Sequence, residues 1–243
     1  MKAVLLAAGY ATRLHPLTRD RAKPLLEVGG RPILSHILER VLELPGLSEV
    51  VVVGNAKFSG QLRAWAEGAA CPVPLRILDD GSRDDAGKLG ASGDLAFALR
   101  EVPLAGEDLV VAAGDNLLGG DLRPLQAAFL ATRRPTLVVR EEEPRRGPSP
   151  YNEVTLQGDR VVGFVEKPAR QTRPLSAIAL YFYPPEIEGF LRRYLAEGGN
   201  PDAPGYFVEW LVGRTDVRAV RYAGDWFDIG SLETLEAARA RFG

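Results

Sequence analysis

Five lysines, Lys2, Lys23, Lys57, Lys88 and Lys167, stand against 25 arginines in this 243-residue chain, so each lysine invites inspection. Lys23 closes a loop that leaves the first apolar run, Leu5-Leu6-Ala7-Ala8-Gly9-Tyr10-Ala11-Thr12-Arg13-Leu14. Gly9 lets the backbone N–H groups approach an anion, and Arg13 and Lys23 can neutralise a polyphosphate. Read alone, the same stretch also describes an ordinary loop with solvated basic residues. Two acidic turns offer carboxylates, Gly114-Asp115-Asn116 and, far downstream, Gly224-Asp225-Trp226-Phe227-Asp228-Ile229-Gly230. Mg²⁺ is commonly held by one or two carboxylates with phosphate oxygens and water, and Asp115 and Asp228 are the expected pair, with Asp225 the local competitor. Each aspartate by itself also suits a turn or an N-cap. Glu166-Lys167-Pro168 puts an acid beside a base, suited to sugar hydroxyls and a phosphate or, more plainly, a solvated ion pair.

The elements that must position these groups read as α/β. Apolar runs over 3–8, 50–53, 75–78, 109–113 and 136–139 alternate with helical patterns such as Ile33, Leu34, Ile37, Leu38, Val41 and Leu42, spaced three and four apart on one face. This alternation predicts a mostly parallel sheet covered on both sides, with the first loop and Asp115 at the carboxyl edge where such sheets bind ligands. After the Pro/Arg/Gly-rich stretch 142–150, runs over 153–156 and 161–165 flank Gln157-Gly158-Asp159-Arg160 and predict a hairpin. A strand is expected over 176–183, helices over 185–196 and 206–212, a strand over 217–222 and a closing helix over 232–242. With no repeat or low-complexity linker, 1–243 is read as one catalytic domain, 1–141 binding one substrate and 142–243 the other.

Composition excludes several classes. Hydrophobic residues make up 46% of the chain and suit a buried core, and the net charge of −2 gives no footprint for nucleic acid. Charges, Gly or Pro interrupt every apolar run, so no membrane span is expected, and the first run reads as a strand rather than a signal segment. One cysteine, Cys71, precludes an internal disulfide, and with only His15 and His36 beside it no usual zinc set can be assembled. The expected compartment is the cytoplasm; a homo-oligomer is left open.

Neither G-x-G-x-x-G nor G-x-x-x-x-G-K-[ST] is present. Residues 5–26, LLAAGYATRLHPLTRDRAKPLL, closely resemble the signature loop of the sugar-1-phosphate nucleotidyltransferases, the family of glucose-1-phosphate thymidylyltransferase. The resemblance carries four ordered motifs over nearly the whole chain. It implies a three-layer α/β/α Rossmann-like sandwich with a mixed, mostly parallel central sheet and a small antiparallel insertion. It also implies a triphosphate wrapped by Leu6, Ala8, Gly9, Tyr10, Ala11, Thr12, Arg13 and Lys23, with Asp80 and Gly90 on the nucleotide as well. Sugar phosphate is assigned to Asn152, Glu166, Lys167 and Glu209, and Mg²⁺ to Asp115 and Asp228, which join Arg13 and Lys23 as the catalytic set.

The chain departs from the family at Ala11, where glycine is usual and where φ > 0 costs alanine about 1 kcal/mol. Asn152 also replaces a more frequent glycine, and asparagine tolerates left-handed geometry. The segment 79–94 is least typical and shows no base-contacting glutamine. The resemblance implies nucleotidyl transfer from a nucleoside triphosphate, dTTP or UTP first, to a sugar 1-phosphate, glucose 1-phosphate first, with release of pyrophosphate. It leaves no residues for an appended β-helix acyltransferase domain, so a bifunctional enzyme is not expected. The rival readings are a cytidylyltransferase acting on phosphocholine or inositol phosphate, a non-catalytic nucleotide-sugar-binding regulatory subunit, and an NAD-dependent oxidoreductase, which lacks its glycine pattern. The regulatory reading is disfavoured because Arg13, Lys23, Asp115, Lys167 and Asp228 are all present.

Overall fold

The computed structural model describes residues 1–142 and 151–242; most of the Pro/Arg/Gly-rich stretch, Pro150 included, lies outside the described residues. The chain opens with β1 (Lys2–Leu6), whose alternation sends Ala3 and Leu5 into one apolar layer and Val4 into the other. Two 3₁₀ turns, Thr12–Leu14 and Lys23–Leu25, follow, and then a two-residue ribbon, β2 (Glu27–Val28) with β3 (Arg31–Pro32). Next come α1 (Ile33–Leu42), β4 (Glu49–Gly54), α2 (Ser59–Glu67), β5 (Leu75–Asp79), α3 (Ala91–Glu101) and β6 (Leu109–Ala113). After β6 the chain makes a short strand β7 (Asn116–Leu118), α4 (Arg123–Thr132) and β8 (Thr136–Glu141). The second half adds β9 (Glu153–Gln157), β10 (Arg160–Val165), β11 (Leu175–Tyr183), α5 (Ile187–Ala196), α6 (Pro204–Val212), β12 (Arg218–Arg221), β13 (Trp226–Asp228) and α7 (Leu232–Phe242).

Nine strands form one sheet in the order β5-β4-β1-β6-β11-β8-β12-β10-β9. β5, β4, β1 and β6 are mutually parallel, because helical crossovers return each to the same edge. β11 enters antiparallel between β6 and β8, and the β9–β10 hairpin continues the same sheet through β12 instead of standing apart from it. One apolar layer holds α3, α5 and α6 against Val4, Val51 and Val111; the other holds α1, α2 and α4 against Ala3, Val52 and Ala112. This is the expected three-layer sandwich. Each fully buried Val or Leu contributes about 1.5–3 kcal/mol, so the two layers carry most of what opposes chain entropy.

A third, smaller cluster joins Leu14 of the first loop, Val28, Ile33 and Leu117 to Ile229, Leu235 and Ala238. It fastens α7 and β13 beneath the carboxyl edge of the parallel strands. Among the described residues no helix is long and apolar enough to cross a membrane.

Candidate active site

The first loop is pinned where it leaves the sheet. Ala7 N–H donates to Val53 O at 2.8 Å, and the fully buried Asn55 donates from Nδ2 to Ala8 O at 2.7 Å. Its Oδ1 accepts Phe58 N–H at 3.0 Å, so one asparagine ties the ends of β1 and β4 together. Gly9 is exposed, and a Cβ there would meet no atom within 4 Å, so none of the protein's own atoms crowd that position. Tyr10 turns inward to Ser82 Oγ at 3.1 Å. Ala11 does lie in the left-handed region, φ 48° and ψ 43°. Its carbonyl accepts from Thr18 Oγ1 at 2.8 Å and from Leu14 N–H at 3.0 Å, contacts that offset strain of about 1 kcal/mol. In the following turn Leu14 is buried while Thr12 and Arg13 are exposed. Gln61 of α2 accepts Ala22 N–H at 3.0 Å and donates to Asp20 O at 2.8 Å, fixing the approach to Lys23.

Leu6 O accepts Gly114 N–H at 2.8 Å, which draws the turn after β6 against this loop. A Cβ at position 114 would come within 2.9 Å of that carbonyl, so glycine is required there. Asp115 follows, and β7 pairs antiparallel with β13 so that Asp228 lies opposite Asn116. Ile229 N–H donates to Asp115 O at 3.2 Å. Two acidic turns remote in sequence thereby present their carboxyls together. Lys23 Nζ stands 2.5 Å from Asp115 Oδ2, Asn116 Nδ2 donates to Oδ1 at 2.9 Å, and Trp226 Nε1 in turn holds Asn116 Oδ1 at 2.6 Å.

Burial works to raise the Asp115 pKa, but the Lys23 ammonium and the hydrogen bonds outweigh it and hold that carboxyl below its usual range. Burial also pushes Asp228 up, to about 6, and the Asp115 charge adds to it while Lys23 and Arg13 oppose. Asp225, the local competitor, pairs instead with Arg241 at 2.6 Å.

A cavity of about 200 Å³ opens beside the two aspartates, lined also by Asn116, Tyr151, Asn152, Glu166, Tyr181, Gly205 and Trp226. Glu166 sits at the end of β10 with Oε2 buried and unpartnered. Burial pushes its pKa up to about 7, with Lys167 opposing and Glu209 and Asp202 adding. Gly205 makes room for it, since a Cβ there would lie 1.8 Å from that oxygen. Lys167 is exposed, with left-handed φ of 48°, and reaches Asp202 at 3.5 Å.

Two residues expected on the sugar side also have structural tasks. Asn152 does not occupy left-handed geometry. Its Oδ1 accepts Ala177 N–H at 2.7 Å and its Nδ2 donates to Ala177 O at 3.0 Å, so the side chain clamps β11 while bordering the cavity. Glu209 is not among the described residues lining the cavity; its Oε2 accepts Glu166 N–H at 3.1 Å and holds that strand end.

Asp80 and Gly90 lie on the other flank, at the ends of β5 and α3. Asp80 Oδ1 accepts both Ser82 N–H and Ser82 Oγ–H at 2.7 Å. Gly90, at φ 77°, approaches a neighbour the sequence did not suggest: a Cβ there would fall 2.4 Å from Pro201 O. Ser92 N–H donates to Pro201 O at 2.9 Å, so the turn before α6 caps α3. Asp202 in that turn also pairs with Lys88 at 2.9 Å. Sequence reading missed Asp202, Asn55, Tyr181 and Asp94. Only Asp94 left a signal, a charge on the apolar stripe of α3 four residues before Ala98.

A loop cradle, two facing carboxylates and a cavity at the carboxyl edge of a parallel sheet define a site for phosphorylated substrates, and the comparisons with known proteins give it a family. The family model described as nucleotidyl transferase matches residues 2–242, and the chain belongs to that family. Within it the chain falls among the sugar-1-phosphate nucleotidyltransferases, which are enzymes. It is 29% identical over 98% of its length to a glucose-1-phosphate thymidylyltransferase of Streptomyces antibioticus and spans 65% of that protein. It is 30% identical over 99% of its length to a UTP–glucose-1-phosphate uridylyltransferase of Haloferax volcanii, covering 96% of it. The solved structure of a UTP-bound UGPase from Acinetobacter baumannii superposes with a TM-score of 0.77 at 19% identity, covering 100% of this chain and 93% of the other, a likeness of fold.

Proposed function

We propose that the chain transfers a nucleotidyl group from dTTP or UTP to glucose 1-phosphate in the cytoplasm, giving the nucleotide sugar and pyrophosphate. The observation that carries this reading is the meeting of Asp115 and Asp228 across β7 and β13, within reach of Lys23. Residues 1–141 bind the nucleotide and residues 142–243 the sugar phosphate. A sugar-phosphate oxygen, already anionic, bonds to the α-phosphorus as the bond to the bridging oxygen of the β-phosphate breaks, and pyrophosphate leaves with that electron pair. No proton need move, so the protein's task is to align two anions and neutralise their charge.

The backbone from Ala8 to Thr12, with Arg13 and Lys23, cradles the triphosphate, while Lys167 and Glu166 take the sugar phosphate and its hydroxyls. Asp115 and Asp228 fit a divalent cation: burial and then the Asp115 charge raise Asp228, and a cation held by these carboxylates would offset both. Mg²⁺ held there supplies positive charge to the reacting phosphates.

The test is a pyrophosphate-release screen of four nucleoside triphosphates against sugar 1-phosphates, phosphocholine and inositol phosphate, with and without magnesium. Release is expected with dTTP or UTP and glucose 1-phosphate. Release only with a non-sugar acceptor moves the substrate assignment, and none with any pair removes the activity.

A further inference from the structure

Asp94 is a buried acid that the transfer reaction does not use. It lies in the first turn of α3, 6% exposed, and its Oδ1 has no hydrogen-bond partner. The charge acting on it is that of Asp80, whose carboxyl is within hydrogen-bonding reach. Two carboxylates cannot face each other in a buried place without a proton between them.

The rest of the hydrogen bonding says where that proton belongs. Asp80 already accepts from Ser82 N–H at 2.7 Å and from Ser82 Oγ–H at 2.7 Å, so it is the acceptor and Asp94 the donor. Because Ser82 Oγ donates to Asp80, the Tyr10 hydroxyl at 3.1 Å must donate to Ser82. A connected chain thus joins Asp94 to Tyr10, the residue that follows Gly9, and converges on Asp80: Asp94 donates to it from one side and Ser82 from the other, with Tyr10 donating to Ser82.

Other charged groups on the elements around α3 are engaged elsewhere. On α5, Glu188 accepts Leu104 N–H at 2.6 Å, Arg193 pairs with Glu197 at 2.7 Å, and Arg192 lines a groove with Arg100 farther along α3. On β4 and β1, Glu49 and Lys2 pair with each other at 3.3 Å. Glu209 of α6 holds Glu166 N–H at 3.1 Å, and Lys88 and Asp202 pair with each other at 2.9 Å. None of these supplies a counter-charge to Asp94. Burial first, then Asp80, pushes its pKa up to about 8.

We infer that Asp94 is a positioning residue for nucleotide binding, its proton holding Asp80 and Ser82 against Tyr10 so that the loop from Gly9 to Arg13 keeps the shape that receives a triphosphate. The inference rests on the proposed nucleotide role of that loop. It gives the acid a task that a carboxamide can also perform, since asparagine donates a hydrogen bond at every pH.

The experiment is calorimetric titration of the full chain with each nucleoside triphosphate and magnesium at pH 7 and pH 9, for the parent, Asp94→Asn and Ser82→Ala, with Tm recorded for each. In the parent, Kd of the nucleotide that binds most tightly should rise about tenfold from pH 7 to pH 9, the change expected when the proton on a group titrating near pH 8 is required for binding. Asp94→Asn should hold that ratio within about twofold, which separates the effect from ionisation of the nucleotide itself. Ser82→Ala, which cuts the chain below Tyr10 but leaves the acid pair, should bind more weakly at both pH values and also lose the ratio. Equal ratios in the parent and Asp94→Asn overturn the inference, even if Tm shifts, because a purely structural acid would move Tm alone. Nucleotide binding without any pH ratio overturns this inference only; a folded parent that binds no nucleotide at either pH overturns the proposed function as well.

Discussion

Asp115 with Asp228, and Asp80 with Asp94, are two pairs of facing carboxyls at the same edge of one sheet, and they are surrounded in opposite ways. The first pair borders a cavity and has cations near it, Lys23 at 2.5 Å from Asp115 and Arg13 acting on Asp228. In the second, Asp94 is closed off and Asp80 half-buried; Asp80 accepts from Ser82, and among the described residues no cation acts on Asp94. An open pair with cationic neighbours can shed its protons and accept a metal ion; a closed pair without them must keep one proton. Neighbouring charge and access, more than the aspartates themselves, decide which chemistry a pair of acids performs.

The sharpest way to break this comparison is to neutralise the open pair. Asp228→Asn or Asp115→Asn should lower kcat about 10²–10⁴-fold with Tm close to the parent, as removal of charge stabilisation at a reacting centre does. Parent-like turnover in pyrophosphate release would take the altered residue out of the reaction. Next in size, Lys23→Met deletes the cation that distinguishes this pair. A drop of about 10- to 100-fold in kcat/KM is expected, from a lost charged hydrogen bond worth about 1.5–3 kcal/mol. Steady-state kinetics with the nucleotide varied checks it, and an unchanged kcat/KM speaks against Lys23.

The closed pair should respond in stability. Asp94 has its folded pKa raised to about 8 from an ordinary carboxyl value of 3.8, so between these values the folded protein binds more protons than the unfolded one. Stability from this group is therefore fully present below about pH 4 and declines as pH rises toward 8. Asp94→Asn removes the decline, so its Tm advantage over the parent should grow from pH 5 to pH 8, by about 2–4 °C for each kcal/mol. A constant difference in Tm would show that Asp94 does not hold the proton assigned to it. The smallest effect is expected at Asp202, which bridges Lys88 and Lys167 but is 44% exposed. Asp202→Ala should change Tm by the equivalent of about 1 kcal/mol or less and KM for sugar phosphate by less than about fivefold. Thermal melts and sugar-phosphate kinetics read both, and a larger loss would make this turn a true fastening between the halves.

These contrasts were unequally legible in the sequence. β1, β4 and β6 announce themselves by continuous apolar runs because both faces of a parallel sheet are covered, whereas Arg76 interrupts the edge strand β5. The loop with Gly9, Arg13 and Lys23 and the aspartate after β6 are placed at strand ends by the same pattern, and the family resemblance supplies their roles. What could not be read is the pairing of β7 with β13, three residues each and far apart in the chain, which alone brings Asp228 to Asp115. The tight approach of Pro201 to Gly90 is likewise a contact between distant segments, with no periodicity to signal it. The residue type of Asn152 shows that it tolerates left-handed geometry but not that its amide matches both hydrogen-bonding groups of Ala177.

The central claim, that Asp115 and Asp228 jointly hold the reaction's divalent cation, is tested most directly by anomalous diffraction from crystals grown with Mn²⁺ and the nucleotide. The account predicts one strong peak within first-coordination distance, about 2.0–2.6 Å, of an oxygen from each aspartate. A peak touching neither carboxylate, with nucleotide bound in the first loop, would contradict it.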